Sequence, residues 1–249
     1  MKTLRVIARL LEYPDPELHE AIPEMRRVLR EENLLDRRSL AALEAHLDRI
    51  AERDLFDLQE EYVAVFDRGR HMSLHLFEHV HGESRDRGQA MVELINYYRE
   101  GGLELNAREL PDYLPLMLEF LSTRPREEIL EMLADAMAVI VLLGARAREK
   151  ELPQAAIFDA LVAIGGEPEE AREMREQAAT EGEDESITKM DEIWEEEQVT
   201  FMGNTNPAEG GGCPAASGQP AGPAPGQEVP LQWMEKPGTR GSGSDVPQR

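Results

Sequence analysis

PREEILEMLADAMAVIVLLGARAREK, residues 125–150, decides the class of this fold. Proline suits the first turn of a helix, where its missing N–H costs nothing. Charged residues flank the apolar run AMAVIVLLGA at 136–145. That run is about half the ~20 apolar residues a membrane-crossing helix requires. It predicts a long helix, opened by Pro125 and ending near Lys150, buried in a protein core and not in a bilayer.

Working outward, nearly every segment carries the helical period. Leu40, Leu43, Leu47 and Ile50 form one stripe, with Ser39 as candidate N-cap. Asp54 would cap a helix whose inner face is Leu55, Leu58, Tyr62, Val65 and Phe66. Ser84 would cap another, with Met91, Leu94, Ile95 and Tyr98 inward and Gly101-Gly102 as its stop. Pro111 is the expected first residue of a helix burying Leu114, Met117, Leu118 and Leu121. Pro153 opens a further helix that Gly165-Gly166 closes. No period-2 alternation is sustained, so the expectation is an all-α helical bundle over residues 1–200.

Two zones differ in composition. Residues 167–197 hold 14 acidic and three basic residues, and read as a solvated helical pair. Residues 203–249 contain 10 glycines and 8 prolines, too little apolar surface to offset chain entropy. The expectation for 201–249 is a disordered Gly/Pro-rich tail with one apolar island around Trp233.

The formal charge of −23, from 50 acids against 27 basic residues, argues against nucleic-acid binding and favours partners with a basic segment. The amino-terminal stretch meets Pro14 and Pro16 early and lacks a long apolar region, so it is not a secretory signal. The single cysteine, Cys213, permits no internal disulfide and fits a cytoplasmic protein without direct membrane insertion.

SLHLFEHVHGESRDRG, residues 73–88, holds three of the six histidines, with His71 just upstream. His71, His75 and His79 are spaced by four and would share one helical face. A metal site built on them with His81 is conceivable, since first-row metals take imidazole and carboxylate, but the spacing is not HExxH. Neither a nucleophile elbow nor a phosphate-cradling glycine loop occurs, so the chain does not read as an enzyme. A third reading is a peptide groove, with Leu74, Leu76, Phe77 and Val80 as floor and titratable tips as rim. Structural histidines bonded to backbone carbonyls are its close rival.

SLHLFEHVHGESRDRGQAM at 73–91 resembles the signature stretch of the NarJ branch of the TorD/DmsD/NarJ family of redox-enzyme maturation chaperones. EEYVAVFDRGR at 60–70 and ELPDYLPLMLEFL at 109–121 agree with it. The wider family's Pro-Asp-His motif reads Pro-Asp-Tyr here, so a role for Asp112 carries over and one for a histidine at Tyr113 does not. The resemblance implies an all-helical assembly chaperone of the TorD-like type, with no cofactor of its own. Its implied partner is the apo catalytic (alpha) subunit of respiratory nitrate reductase. The chaperone would hold that subunit's basic, amphipathic N-terminal peptide until molybdenum cofactor and iron–sulfur clusters are installed, before docking on the membrane anchor. Molybdenum-cofactor biosynthesis proteins are further candidate partners, and service to another molybdoenzyme is an alternative.

On that reading the client-binding residues are Tyr62, Phe66, Leu74, His75, Phe77, His79, His81, Glu83, Asp112, Tyr113 and Leu116. Asp112, near a helix start, would either cap backbone N–H groups or face a client Arg or Lys. Protonation of His75, His79 and His81 would loosen the grip on a basic client as pH falls.

Overall fold

A computed structural model describes residues 1–81, 84, 86–105 and 109–189. These belong to one unit, Met1–Met202. The expectations for Glu83, for residues 190–197 of the acidic zone and for the tail with Cys213 and Trp233 lie outside the described residues.

The core helix is α8, Arg126–Glu149, N-capped by Pro125 as the sequence predicts. It is buried almost continuously from Ala136 to Ala147. Each fully buried Leu, Ile or Val there withdraws apolar area from water worth about 1.5–3 kcal/mol. α9, Ala155–Gly165, and α10, Ala171–Thr180, pack on it. Gly166 ends α9 at φ +88°, a left-handed conformation that costs glycine nothing. No helix among the described residues is long and apolar enough to cross a membrane.

Around this centre lie α1, Lys2–Leu11; α2, Pro16–Glu32; and α3, Arg37–Glu52. α1 packs on α2 and on α7, Leu114–Ser122, whose Leu114, Met117, Leu118 and Leu121 are buried as expected. The start of α1 has no local side-chain cap. Glu32, at the far end of α2, supplies one instead, accepting the N–H groups of Lys2 and Thr3 at 2.7 Å each. This distant carboxylate satisfies donors that every helix start leaves open.

Four local expectations are corrected. Asp36, not Ser39, caps α3, and its carboxylate accepts the Ser39 N–H at 2.8 Å. Pro111 lies in a turn, and α7 begins only at Leu114. α6, Asp86–Glu100, buries only Tyr98 fully, leaving Met91, Leu94 and Ile95 part-exposed. The histidines do not share a helix: α5 spans only Leu76–Val80, His71 sits in a turn, and His75 precedes α5 in extended conformation. The Asp54 cap is present, with its carboxylate accepting the Phe56 N–H at 2.8 Å. The helix it starts, α4, Leu55–Tyr62, runs into a wider π turn over Val63–Asp67.

Candidate functional site

The histidine segment is held against the turn before α7 by backbone pairing. His75 and Tyr113 form an antiparallel bridge, the only pairing of strand type among the described residues. Leu76 N–H donates to the Asp112 carbonyl at 3.1 Å, and Leu114 N–H to the Leu74 carbonyl at 2.9 Å. Asp112 is fully buried at this crossing. Its carboxylate accepts the Phe77 N–H at 3.0 Å and faces His75 Nδ1 at 3.2 Å. Asp112 therefore caps a helix, but the helix is α5, 35 residues away in sequence, and not its own. Its carboxylate is enclosed and does not face solvent, so direct contact with a client cation is not available in this conformation.

Five of the expected site residues meet above this crossing. Tyr62, Phe66, Leu74, His75 and Tyr113 line a pocket of about 280 Å³, with Tyr13, Asp67, Ser73 and Glu109 completing it. The tyrosine hydroxyls of Tyr62 and Tyr113 lie 3.0 Å apart. Tyr62 packs against Phe66 at 5.1 Å and meets Tyr13 edge-on at 5.5 Å between ring centres. His75 lies 5.4 Å from the Tyr113 ring. Burial raises the pKa of both site tyrosines, that of Tyr113 to about 12, so both are neutral phenols.

The other expected residues lie elsewhere. His79 lines a different cavity, a cleft of about 320 Å³ shared with His71, Arg87 and Arg146. Phe77 and His81 meet edge-on at 5.4 Å. Leu116 is half-buried against the main core.

The histidines also differ electrically. The hydrogen bond to Asp112 raises the His75 pKa and favours its imidazolium, outweighing a burial that acts the other way. Burial lowers the His79 pKa, and the Arg146 charge adds to that. His79 Nε2 lies 2.8 Å from the Ser73 carbonyl and Nδ1 lies 3.3 Å from Arg146 Nη1. A neutral ring that donates from Nε2 and accepts at Nδ1 fits both neighbours. His75 and His79 are thus shifted in opposite directions and do not act as one uniform set of titrating tips. Among the described residues no three His, Cys, Asp or Glu side chains come together as a metal-holding group.

Sequence reasoning missed the clasp behind the histidine segment. Arg146, 7% exposed, forms a fork with Glu181, donating from Nε and Nη2 at 2.6 Å each. Its Nη1 donates to the His71 carbonyl at 2.6 Å. Asp184, buried at 6%, accepts the His71 N–H at 2.7 Å. A Cβ on Gly69 would collide with the Asp184 carboxylate, so glycine there permits the close approach. The acidic zone is thus not wholly solvated: Glu181 holds Arg146 of α8, Asp184 holds the His71 N–H, and Arg146 itself joins α8 to the histidine segment. An arginine directly after ten mostly apolar residues of a core helix was the available signal.

The chain is similar in sequence to known proteins over most of its length. Residues 14–153 match the family model described as nitrate reductase delta subunit. The nitrate reductase molybdenum cofactor assembly chaperone NarJ of Escherichia coli K12 is 43% identical over 202 residues, 81% of this chain and 86% of that protein. The probable chaperone NarW of the same organism is 44% identical over 203 residues, covering 81% and 84%. The probable NarJ of Bacillus subtilis is 29% identical over 161 residues, covering 65% and 86%. With more than half of its length matched by the family model and such relatives aligned nearly end to end, the chain belongs to the nitrate reductase delta subunit family, in its NarJ-type assembly-chaperone branch.

Proposed function

We propose that this chain is a cytoplasmic, client-specific assembly chaperone and not an enzyme. It binds the N-terminal segment of the apo catalytic subunit of a respiratory nitrate reductase. It holds that subunit while molybdenum cofactor and iron–sulfur clusters are inserted, before membrane docking. The observation that carries this reading is 43% identity to the Escherichia coli NarJ chaperone over 86% of its length. The physical chemistry supports it. A pocket with aromatic walls on a strongly acidic protein suits an apolar segment bearing basic side chains. In this reading Tyr62, Phe66, Leu74, His75 and Tyr113 contact the client. Asp112 acts from below by fixing α5 and His75, and Phe77, His81 and Leu116 border the surface.

Isothermal titration with the N-terminal peptide of the nitrate reductase catalytic subunit from the same source tests the proposal. A leader peptide from a different molybdoenzyme serves as control. Saturable binding of the first peptide alone is the expected outcome. Equal binding of both would sink client specificity, and no binding of either at high micromolar concentration would sink the peptide-binding role.

A further inference from the structure

The 280 Å³ pocket carries more negative charge than its own residues neutralise. Asp67 and Glu109 stand on its rim. Among the described residues neither side chain takes part in an ion pair or a hydrogen bond. The pocket residue that can become positive is His75, and it already faces the buried Asp112 carboxylate. Partial desolvation and the neighbouring Glu109 charge raise the pKa of Asp67 despite the opposing influence of His75, the mark of a carboxylate short of counter-charge. The walls are the second observation, independent of the acids. Tyr13, Tyr62 and Tyr113 surround the opening, and Tyr13 is 48% exposed although its ring edge is anchored on Tyr62. Ring faces attract cations, and guanidinium groups stack on them readily. Tyr62 and Tyr113 are tied to each other through their hydroxyls, which fixes their ring positions before any ligand arrives.

We infer that this pocket is a subsite for one basic side chain, an arginine or lysine, presented by the bound client segment, with the tyrosine rings as walls and Asp67 and Glu109 as the counter-charge. This rests on the client-binding reading above and adds to it a specific residue preference. Apolar contacts along the segment would give affinity; the pocket would set its register, because only one position of the segment can place a cation between two carboxylates. Arginine fits better than lysine, since a planar guanidinium both stacks on tyrosine and bonds two carboxylates.

The test crosses protein and peptide variants. The N-terminal client peptide is titrated into the wild-type chain and into an Asp67→Asn/Glu109→Gln variant. Both replaced residues are exposed, so folding is not at stake. The peptide is then resynthesised with each Arg or Lys in turn replaced by citrulline or norleucine. One replacement is expected to weaken binding to wild type about tenfold and to have little further effect on the variant. Additive losses at every position would overturn the subsite. A second arm titrates N-acetyl-arginine amide while the Tyr13 and Tyr113 ring resonances are followed. Shifts in wild type that vanish in the variant support the subsite even if the peptide fails to bind, and that combination would refute the client instead. Unshifted rings in wild type would overturn the subsite even where the peptide binds.

Discussion

Replacing Asp112 removes the one carboxylate that joins the histidine segment to the turn before α7. Asp112→Ala deletes the acceptor for the Phe77 N–H at 3.0 Å and for His75 Nδ1 at 3.2 Å, both at a fully buried group. Breaking a buried charged pair from one side costs about 3–5 kcal/mol, because the other partner stays behind without compensation. Asp112→Asn retains an oxygen for the Phe77 N–H and removes the charge that faces both His75 at 3.2 Å and Arg87 Nη2 at 3.9 Å; Arg87 stays charged at every pH used, so the pH-dependent part of the cost reports His75. Asp112 raises the His75 pKa in the folded state. The stabilisation from this pair is therefore fully present below the ordinary histidine value of about 6.5 and is lost as pH rises through the raised folded value. Urea unfolding of wild type and Asp112→Asn at about pH 5.5 and pH 9 reads this directly, with the larger difference expected at the lower pH. NMR titration should show the His75 pKa lower in Asp112→Asn than in wild type. Equal destabilisation at both pH values, with an unmoved His75 titration, would refute the charge coupling.

Two further outcomes follow from groups away from the pocket. His46 is buried, and this lowers its pKa to about 4, with Arg49 adding to the effect and Glu61 opposing it. Its ring is neutral when folded, so stability should be complete above about pH 6.5 and fall by about 3 kcal/mol as pH drops toward 4; His46→Leu should flatten that slope in acid-unfolding curves. Arg146→Met should break the buried fork to Glu181 and free the His71 carbonyl, at a cost of about 3 kcal/mol. Hydrogen exchange should then quicken at residues 71–79 and 181–189 together; quickening in only one of the two would show that the clasp does not couple them.

The pattern of residues along the chain determined the helical class and most of the core. Pro125, the run from Ala136 to Ala145, the Leu114–Leu121 face and the Gly166 stop are all signals whose cause is local: ring geometry, helical period and a left-handed backbone. Residues 60–70, 73–91 and 109–121, the stretches that carry the resemblance, all contribute to one pocket. The division within that region belongs to tertiary structure alone. The four-residue spacing of His71, His75 and His79 suggested one helical face, yet α5 begins only after His75, and His75 and His79 line different cavities. The role of Asp112 was visible as capping or charge, but not that the capped helix lies 35 residues upstream. Glu32 on α1, Arg146 on His71 and Asp184 on His71 join residues 29, 75 and 113 positions apart. Such pairs leave no periodic trace in a sequence, because their geometry is set by how helices pack and not by how each one winds.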